Sequence, residues 1–403
     1  MNNNNRRDFL KKSIIGISGA ALLPGSSMSA AVVNQSEAAP ADLPSRLLGR
    51  TGVKTPLISM GTSGATTPSF VRGAYESGIK LFFSASYYGE GNNEILVGEG
   101  LKGLPRESFV VGTASWPDEL DSRSGVLSGS FNKDAFMKKA EASLKRFGLE
   151  QIDILLLPYA SKKETVTNEA ILSTLEQIRK QGKARFIGIA SHSGTEEALN
   201  AASSAGIYDL AMISYNFKIK NKPSLDFAIS NAVKSGMGII AMKTTAGASW
   251  QKSGPPLNTD AALKWVLQNE KIATIVSGMS SQEELKKNLA MIQNLKMTEQ
   301  ELKDLSPVAL ESVTGLYCLQ CNQCVPQCPY ALEIPTIMRS YMYAYGYKNL
   351  EQAWHTIADA RLADSPCDGC STCSVFCSAG FDVKNKIKDI ARLKQMPKDF
   401  IMG

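Results

Sequence analysis

The chemistry-bearing residues of this 403-residue chain gather near its C-terminus, where its eight cysteines fall in two runs of identical spacing. Cys318, Cys321, Cys324 and Cys328 form the first run and Cys367, Cys370, Cys373 and Cys377 the second, each reading C-x2-C-x2-C-x3-C. Three thiolates so spaced on a turning loop hold three corners of a [4Fe-4S] cube, and in paired runs the fourth cysteine of each ligates the other cube. The spacing therefore assigns Cys318, Cys321, Cys324 and Cys377 to one cluster and Cys367, Cys370, Cys373 and Cys328 to its neighbour, leaving no spare thiol. Zinc, which favours separated ligand pairs, fits less well, and the only histidines, His192 and His355, lie outside both runs. Disulfides fit poorly because cysteines recurring every three residues rarely meet the required distances and dihedrals. Pro329 follows the first run, whereas Ser378 follows the second, a change at a flank and not at a ligand.

Between the runs, apolar residues recur at helical spacing over Ile334 to Tyr345 and Leu350 to Leu362, so the expected domain is helical and not of the compact β type. Met338, Tyr341, Met342 and Tyr345 share one face there and read as packing residues. Upstream, short apolar runs alternate with amphipathic stretches, the signature of βα units and a parallel sheet. The expected strands are Leu57–Met60, Ile79–Phe83, Phe109–Thr113, Ile152–Leu157, Phe186–Ala190, Leu210–Ser214, Gly238–Met242 and Ala273–Val276. Between them lie helices such as Asn132–Phe147, with Gly148 placed as its C-terminal cap. That number of βα units in about 250 residues implies a TIM barrel, an α/β (β/α)8 fold whose chemistry sits at the C-terminal ends of the strands.

Four of the 44 basic side chains and one of the 38 acidic ones lie in residues 1–31, leaving 40 against 37 in the remainder, a balance that gives no footprint for nucleic acid. No stretch reaches the roughly eighteen apolar residues of a membrane span. The N-terminus carries Arg6-Arg7-Asp8-Phe9-Leu10, an apolar run from Ser13 to Leu23, and small residues through Ala31. It resembles a twin-arginine export signal, which implies passage through the twin-arginine translocase in a folded state and a periplasmic destination. Clusters assembled on the folded chain in the cytoplasm give a physical reason for that route. The expected organisation is a signal peptide over 1–31, a linker over 32–46, the barrel over 47–300 and a helical two-cluster domain over 301–403.

The barrel also resembles the aldo/keto reductase family. The resemblance rests on fragments in order: Gly78-Ile79-Lys80-Leu81-Phe82, Tyr88-Gly89 with Glu94, Ser143 to Gly148 leading into Ile152-Asp153, Gly188 and Ser191, Tyr215-Asn216, Gly238 to Lys243, and Gly278 with Asn288. The C-terminal part is similar to the ferredoxin-type extension that some members carry. The resemblance implies carbonyl reduction by hydride from NAD(P)H, with a tyrosine as general acid backed by a lysine, an aspartate and a histidine. Carried over by position, the tyrosine is Tyr88, while Phe83, Ala114 and Pro158 stand where the other three are expected. These losses do not depend on register: no aspartate occurs between Gly61 and Pro117, no lysine between Ser108 and Asn132, and no histidine before His192. The substitutes expected at the site are His192, read as an imidazole titrating near neutral pH, and Lys243, with Trp116, Tyr159 and Tyr215 as an aromatic wall. Ser191, Tyr215, Lys243, Gly278 and Asn288 are the cofactor-contact positions the resemblance implies, although Glu284 and the absence of an arginine nearby suit a 2′-phosphate poorly.

The leading expectation is an exported oxidoreductase acting on a small polar compound, with electrons passing through two [4Fe-4S] clusters to or from a redox partner protein. A non-catalytic barrel serving as a scaffold for the electron-transfer domain is the alternative. Ordinary nicotinamide-dependent reduction with Tyr88 and His192 would need a cofactor supply that export argues against.

Overall fold

The computed structural model describes residues 43–219, 221–246, 257–306, 318, 320–360, 362–378 and 380–402. The expected signal peptide, including Arg6 and Arg7, lies outside these residues, as does most of the linker.

The described chain opens with a two-stranded antiparallel hairpin, β1 (Ser45–Leu47) and β2 (Lys54–Pro56), that sequence periodicity did not reveal. Its first strand starts inside the segment read as linker. The hairpin turn carries Leu48, fully buried, into the inner core of the barrel beside Gly238. Arg46 fixes the hairpin to the barrel by donating to the carbonyls of Leu267 (3.0 Å) and Ile272 (2.7 Å).

Eight parallel strands then close on themselves, in the order β10-β3-β4-β5-β6-β7-β8-β9. They are β3 (Ile58–Gly61), β4 (Leu81–Phe83), β5 (Val110–Ala114), β6 (Ile152–Leu157), β7 (Ala184–Ser191), β8 (Leu210–Ser214), β9 (Gly238–Met242) and β10 (Thr274–Gly278). Closure comes from β10 pairing with β3, Ile275 opposite Ile58 and Gly278 opposite Gly61. Side chains alternate across each strand. In β6, Ile154 and Leu156 fill the inside of the barrel, while Leu155 and Leu157 pack outward against the helices. Both faces are buried, which is why the strands read as continuous apolar runs. The helix Lys133–Phe147 starts on the Asn132 side chain and stops at Gly148 in the left-handed conformation, as its sequence implied.

The C-terminal domain is built on helices Ile334–Tyr345, Leu350–Asp359 and Val383–Ala391, the second ending short of the expected Leu362. Met338, Tyr341 and Met342 are buried, and Tyr345 stacks on Tyr341 at 4.3 Å. Phe217 and Ala246, from loops at the C-terminal end of the barrel, pack into the core of this domain. His355 to Glu90 (3.0 Å) and Asn349 to the Ser63 carbonyl (3.1 Å) add polar contacts across the junction. Among the described residues no helix is long and apolar enough to cross a membrane.

Candidate functional site

At the C-terminal ends of the strands lies a cavity of about 310 Å3. Phe83, Ala114, Met212 and Met242 give it an apolar wall, Tyr88, His192 and Lys243 supply polar groups, and Ser277, Gly278 and Asn288 line its far end. Met342 and Tyr347 of the C-terminal domain complete the lining. The two domains therefore share one cavity.

Tyr88 is held by its turn. Gly89, Glu90 and Gly91 adopt left-handed φ angles of 56, 54 and 95° before the helix Asn92–Leu101 begins. A side chain at Gly91 would also strike Arg146, whose Cδ lies 2.5 Å from where a Cβ would stand. That arginine crosses the turn to reach Glu94, Nε to Oε2 at 2.6 Å, and Glu94 is fully buried and also accepts from the Thr113 hydroxyl. Breaking such a buried pair costs about 3–5 kcal/mol, so the loop carrying Tyr88 is anchored firmly. Burial, reinforced by Tyr159, pushes the Tyr88 phenol up to about 12, while Arg339 and a hydroxyl contact with Tyr343 favour its ionisation. The phenol is protonated at neutral pH.

The expectation for His192 needs correction. Burial first, then Lys243 and Arg339, hold its imidazole well below the ordinary value, so it is neutral and not a group titrating near neutral pH. Its Nδ1 is buried without a protein partner. Burial, with Arg339, likewise brings Lys243 down to about 8, while Cys318 pulls the other way. Lys243 and Tyr159 both sit at strand ends with left-handed φ angles of 56 and 54°, a strained backbone that recurs at functional sites.

Of the expected cofactor positions, the structure brings Lys243, Gly278 and Asn288 to the cavity and leaves Ser191 and Tyr215 out of its lining. Ser191 donates to the Ser193 carbonyl at 2.7 Å. Tyr215 points outward between strand and helices, donating to Asp226 at 2.7 Å and packing on Trp265. The aromatic wall therefore lacks Tyr215. Trp116 and Tyr159 do not line the cavity either: they pack beside it behind Tyr87, which does, with Trp116 and Tyr159 centred 4.8 Å apart and Tyr159 5.8 Å from His192. At the far end Tyr347 covers Gly278: a Cβ there would come within 2.7 Å of its ring. Glu284 also lines this end, and Lys287 is drawn to Asp260 at 3.5 Å.

The sequence reading missed Arg339. It enters from the C-terminal domain and donates from Nη1 to the Tyr159 hydroxyl at 2.9 Å. Nothing in a single apolar helix marked that residue as facing the barrel.

Residues 60–257 match the aldo/keto reductase family, and residues 317–382 match the 4Fe-4S dicluster domain. The barrel is an aldo/keto reductase domain, joined to a 4Fe-4S dicluster domain. Among relatives of the barrel, an L-galactose dehydrogenase from Arabidopsis thaliana is 25% identical over 67% of this chain and 95% of its own. An NADH-specific methylglyoxal reductase from Escherichia coli is 25% identical over 56% of this chain and 82% of its own. The solved structure of an aldo-keto reductase from Bacillus halodurans superposes with a TM-score of 0.55 at 18% identity, covering 65% of this chain and 95% of that one, which shows the shared fold.

In the dicluster domain the thiols of the two runs are electrostatic neighbours across the runs. Cys318 has Cys324, Cys377 and Cys321 as electrostatic neighbours, and Cys367 has Cys370, Cys373 and Cys328. Cys324 also feels Cys328, which sets the two groups side by side. Gln327 laces the runs together, accepting from the Phe376 amide at 2.7 Å while its carbonyl accepts from the Ser374 hydroxyl, also at 2.7 Å. Cys328, Cys367, Cys370 and Cys373 line one small cavity. Burial pushes the free thiol of Cys324 up to about 11 and that of Cys318 to about 12, so cluster assembly must displace their protons. The donor set fits two [4Fe-4S] clusters.

Proposed function

We propose that the protein is an exported iron-sulfur oxidoreductase whose barrel cavity holds a small polar organic compound, with the dicluster domain exchanging electrons between that site and a redox partner protein. The observation that carries this reading is the shared cavity: Tyr88, His192 and Lys243 face it from the barrel and Met342 and Tyr347 from the dicluster domain, while Cys318 is an electrostatic neighbour of Lys243. When bound, each cluster supplies one-electron transfer, so a pair matches the two-electron change between a carbonyl and an alcohol.

The chain's own residues supply the rest. The apolar wall of Phe83, Met212 and Met242 excludes water, and Tyr88 presents a phenolic proton to a substrate oxygen. Neutral His192 and the ammonium of Lys243 orient polar substituents. The scaffold reading draws on Phe83 and Ala114, which leave the barrel side of the cavity without the family's aspartate and lysine. Re-oxidation of the reduced clusters by an added carbonyl compound separates the two readings.

Export rests on Arg6 and Arg7 and on the need to move a preassembled cofactor. Replacing both by lysine should leave folded, cluster-loaded protein in the cytoplasm. Cell fractionation checks this, and unchanged export of the double variant would reject the route.

A further inference from the structure

Helix Ile334–Tyr345 delivers a guanidinium into the aromatic cluster beside the cavity. The Cζ of Arg339 lies 5.7 Å from the ring centre of Tyr159, whose hydroxyl accepts from its Nη1. Tyr87, Tyr88 and Tyr343 also surround it electrostatically. Among the described residues no carboxylate lies within ion-pair distance of Arg339. Asp359, on the next helix, feels its charge but is exposed. A half-buried cation without a carboxylate is costly unless a group beside it gains from the positive field. Tyr343 lies one turn further along the same helix, on the same face, and favours ionisation of Tyr88. On the barrel side, Ala114 ends the strand where the family places its lysine, and no lysine occurs between Ser108 and Asn132.

We infer that Arg339 is the positioning cation for Tyr88, standing in for the lysine the barrel lacks, so that the tyrosine becomes an effective proton donor only when the dicluster domain is packed on the barrel. This rests on the reading of Tyr88 as proton donor. When Tyr88 gives its proton to a substrate oxygen, the phenolate left behind is stabilised by the guanidinium and by the Tyr343 hydroxyl. The charged and titratable groups facing Tyr88 are then Tyr87, Tyr159, His192, Lys243, Arg339 and Tyr343. Arg339 and Lys243 are the cations, and Lys243 also serves the opposite rim beside Cys318. Docking of the electron-transfer domain thereby also completes the acid.

The test uses cluster-loaded protein carrying 2,3,5-trifluorotyrosine at position 88, an analogue that ionises at lower pH than tyrosine and reports its ionisation by fluorine NMR. Arg339→Gln should raise the ionisation midpoint by about one to three pH units, the range of a nearby opposite charge, and Arg339→Lys should restore most of it. Arg339→Met, which keeps the stem of the side chain without its charge, should shift the midpoint about as far as Arg339→Gln. A purely structural role would lower stability in the Gln and Lys variants alike and leave the midpoint in place. A midpoint unmoved by Arg339→Gln, or by Arg339→Met where the first variant does not load its clusters, overturns the inference. No substrate enters this measurement, so a shifted midpoint in a protein that never turns over would sink the proposed reaction and leave the role of Arg339 standing.

Discussion

Cys377→Ala is expected to remove the cluster bracketed by Cys318, Cys321 and Cys324 and to spare the one bracketed by its own run. Iron should fall from about eight to about four atoms per chain, with sulfide in proportion. Cys377 is an electrostatic neighbour of Cys318 and Cys324, whereas Cys328 is the neighbour of Cys367. Cys328→Ala should produce the complementary loss. Metal analysis with electron paramagnetic resonance of the reduced variants distinguishes the surviving cluster in each. Loss of the cluster on the same run as the substituted cysteine would show that each run closes its own cube. Zinc in the purified protein would dismiss the cluster assignment altogether.

The second large effect is expected at the cavity. Tyr88→Phe deletes one oxygen and keeps the ring that packs edge-on against Tyr87 at 5.3 Å, so fold and iron content should hold. Turnover should drop by about two to four orders of magnitude, the usual contribution of a positioned general acid. Because His192 is held well below its ordinary value, the pH profile should carry no step from it near neutrality. Ala114→Lys alone should not restore family-style reduction, since Phe83 offers no carboxylate to hold the new ammonium. Undiminished turnover in Tyr88→Phe would place the chemistry elsewhere in the cavity.

The barrel was legible because both faces of its strands are buried, so β9, and β6 apart from Asp153, announce themselves as apolar runs with the limits expected of them. The hairpin of β1 and β2 was not, since strands this short carry no periodicity to read. The fragments that carried the family resemblance mark structural joints as much as chemistry: Glu94 reaches Arg146, and Asp153 pairs with Arg106 and Arg185 at 2.7 Å each. Tyr215 was misplaced because order along the chain does not say which way a side chain leaves the strand end, and Asp226 with Asn269 draws its hydroxyl outward. Arg339 was invisible for a related reason. Its hydrogen-bond partner lies 180 positions away, and one arginine in an apolar helix reads as the solvent-facing residue until the second domain is in place. The neutrality of His192 follows from the same packing, which no local pattern encodes.

The central claim is that electrons move between the clusters and a compound in the barrel cavity. The direct measurement is to reduce the cluster-loaded protein anaerobically, remove the reductant, add small polar carbonyl compounds one at a time, and follow the signal of the reduced clusters. The account predicts re-oxidation with at least one compound, formation of the corresponding alcohol with two electrons and two protons consumed per molecule, and strong slowing by Tyr88→Phe. Clusters that stay reduced with every compound, in a protein that reduces the same carbonyls with NADH or NADPH, would contradict it.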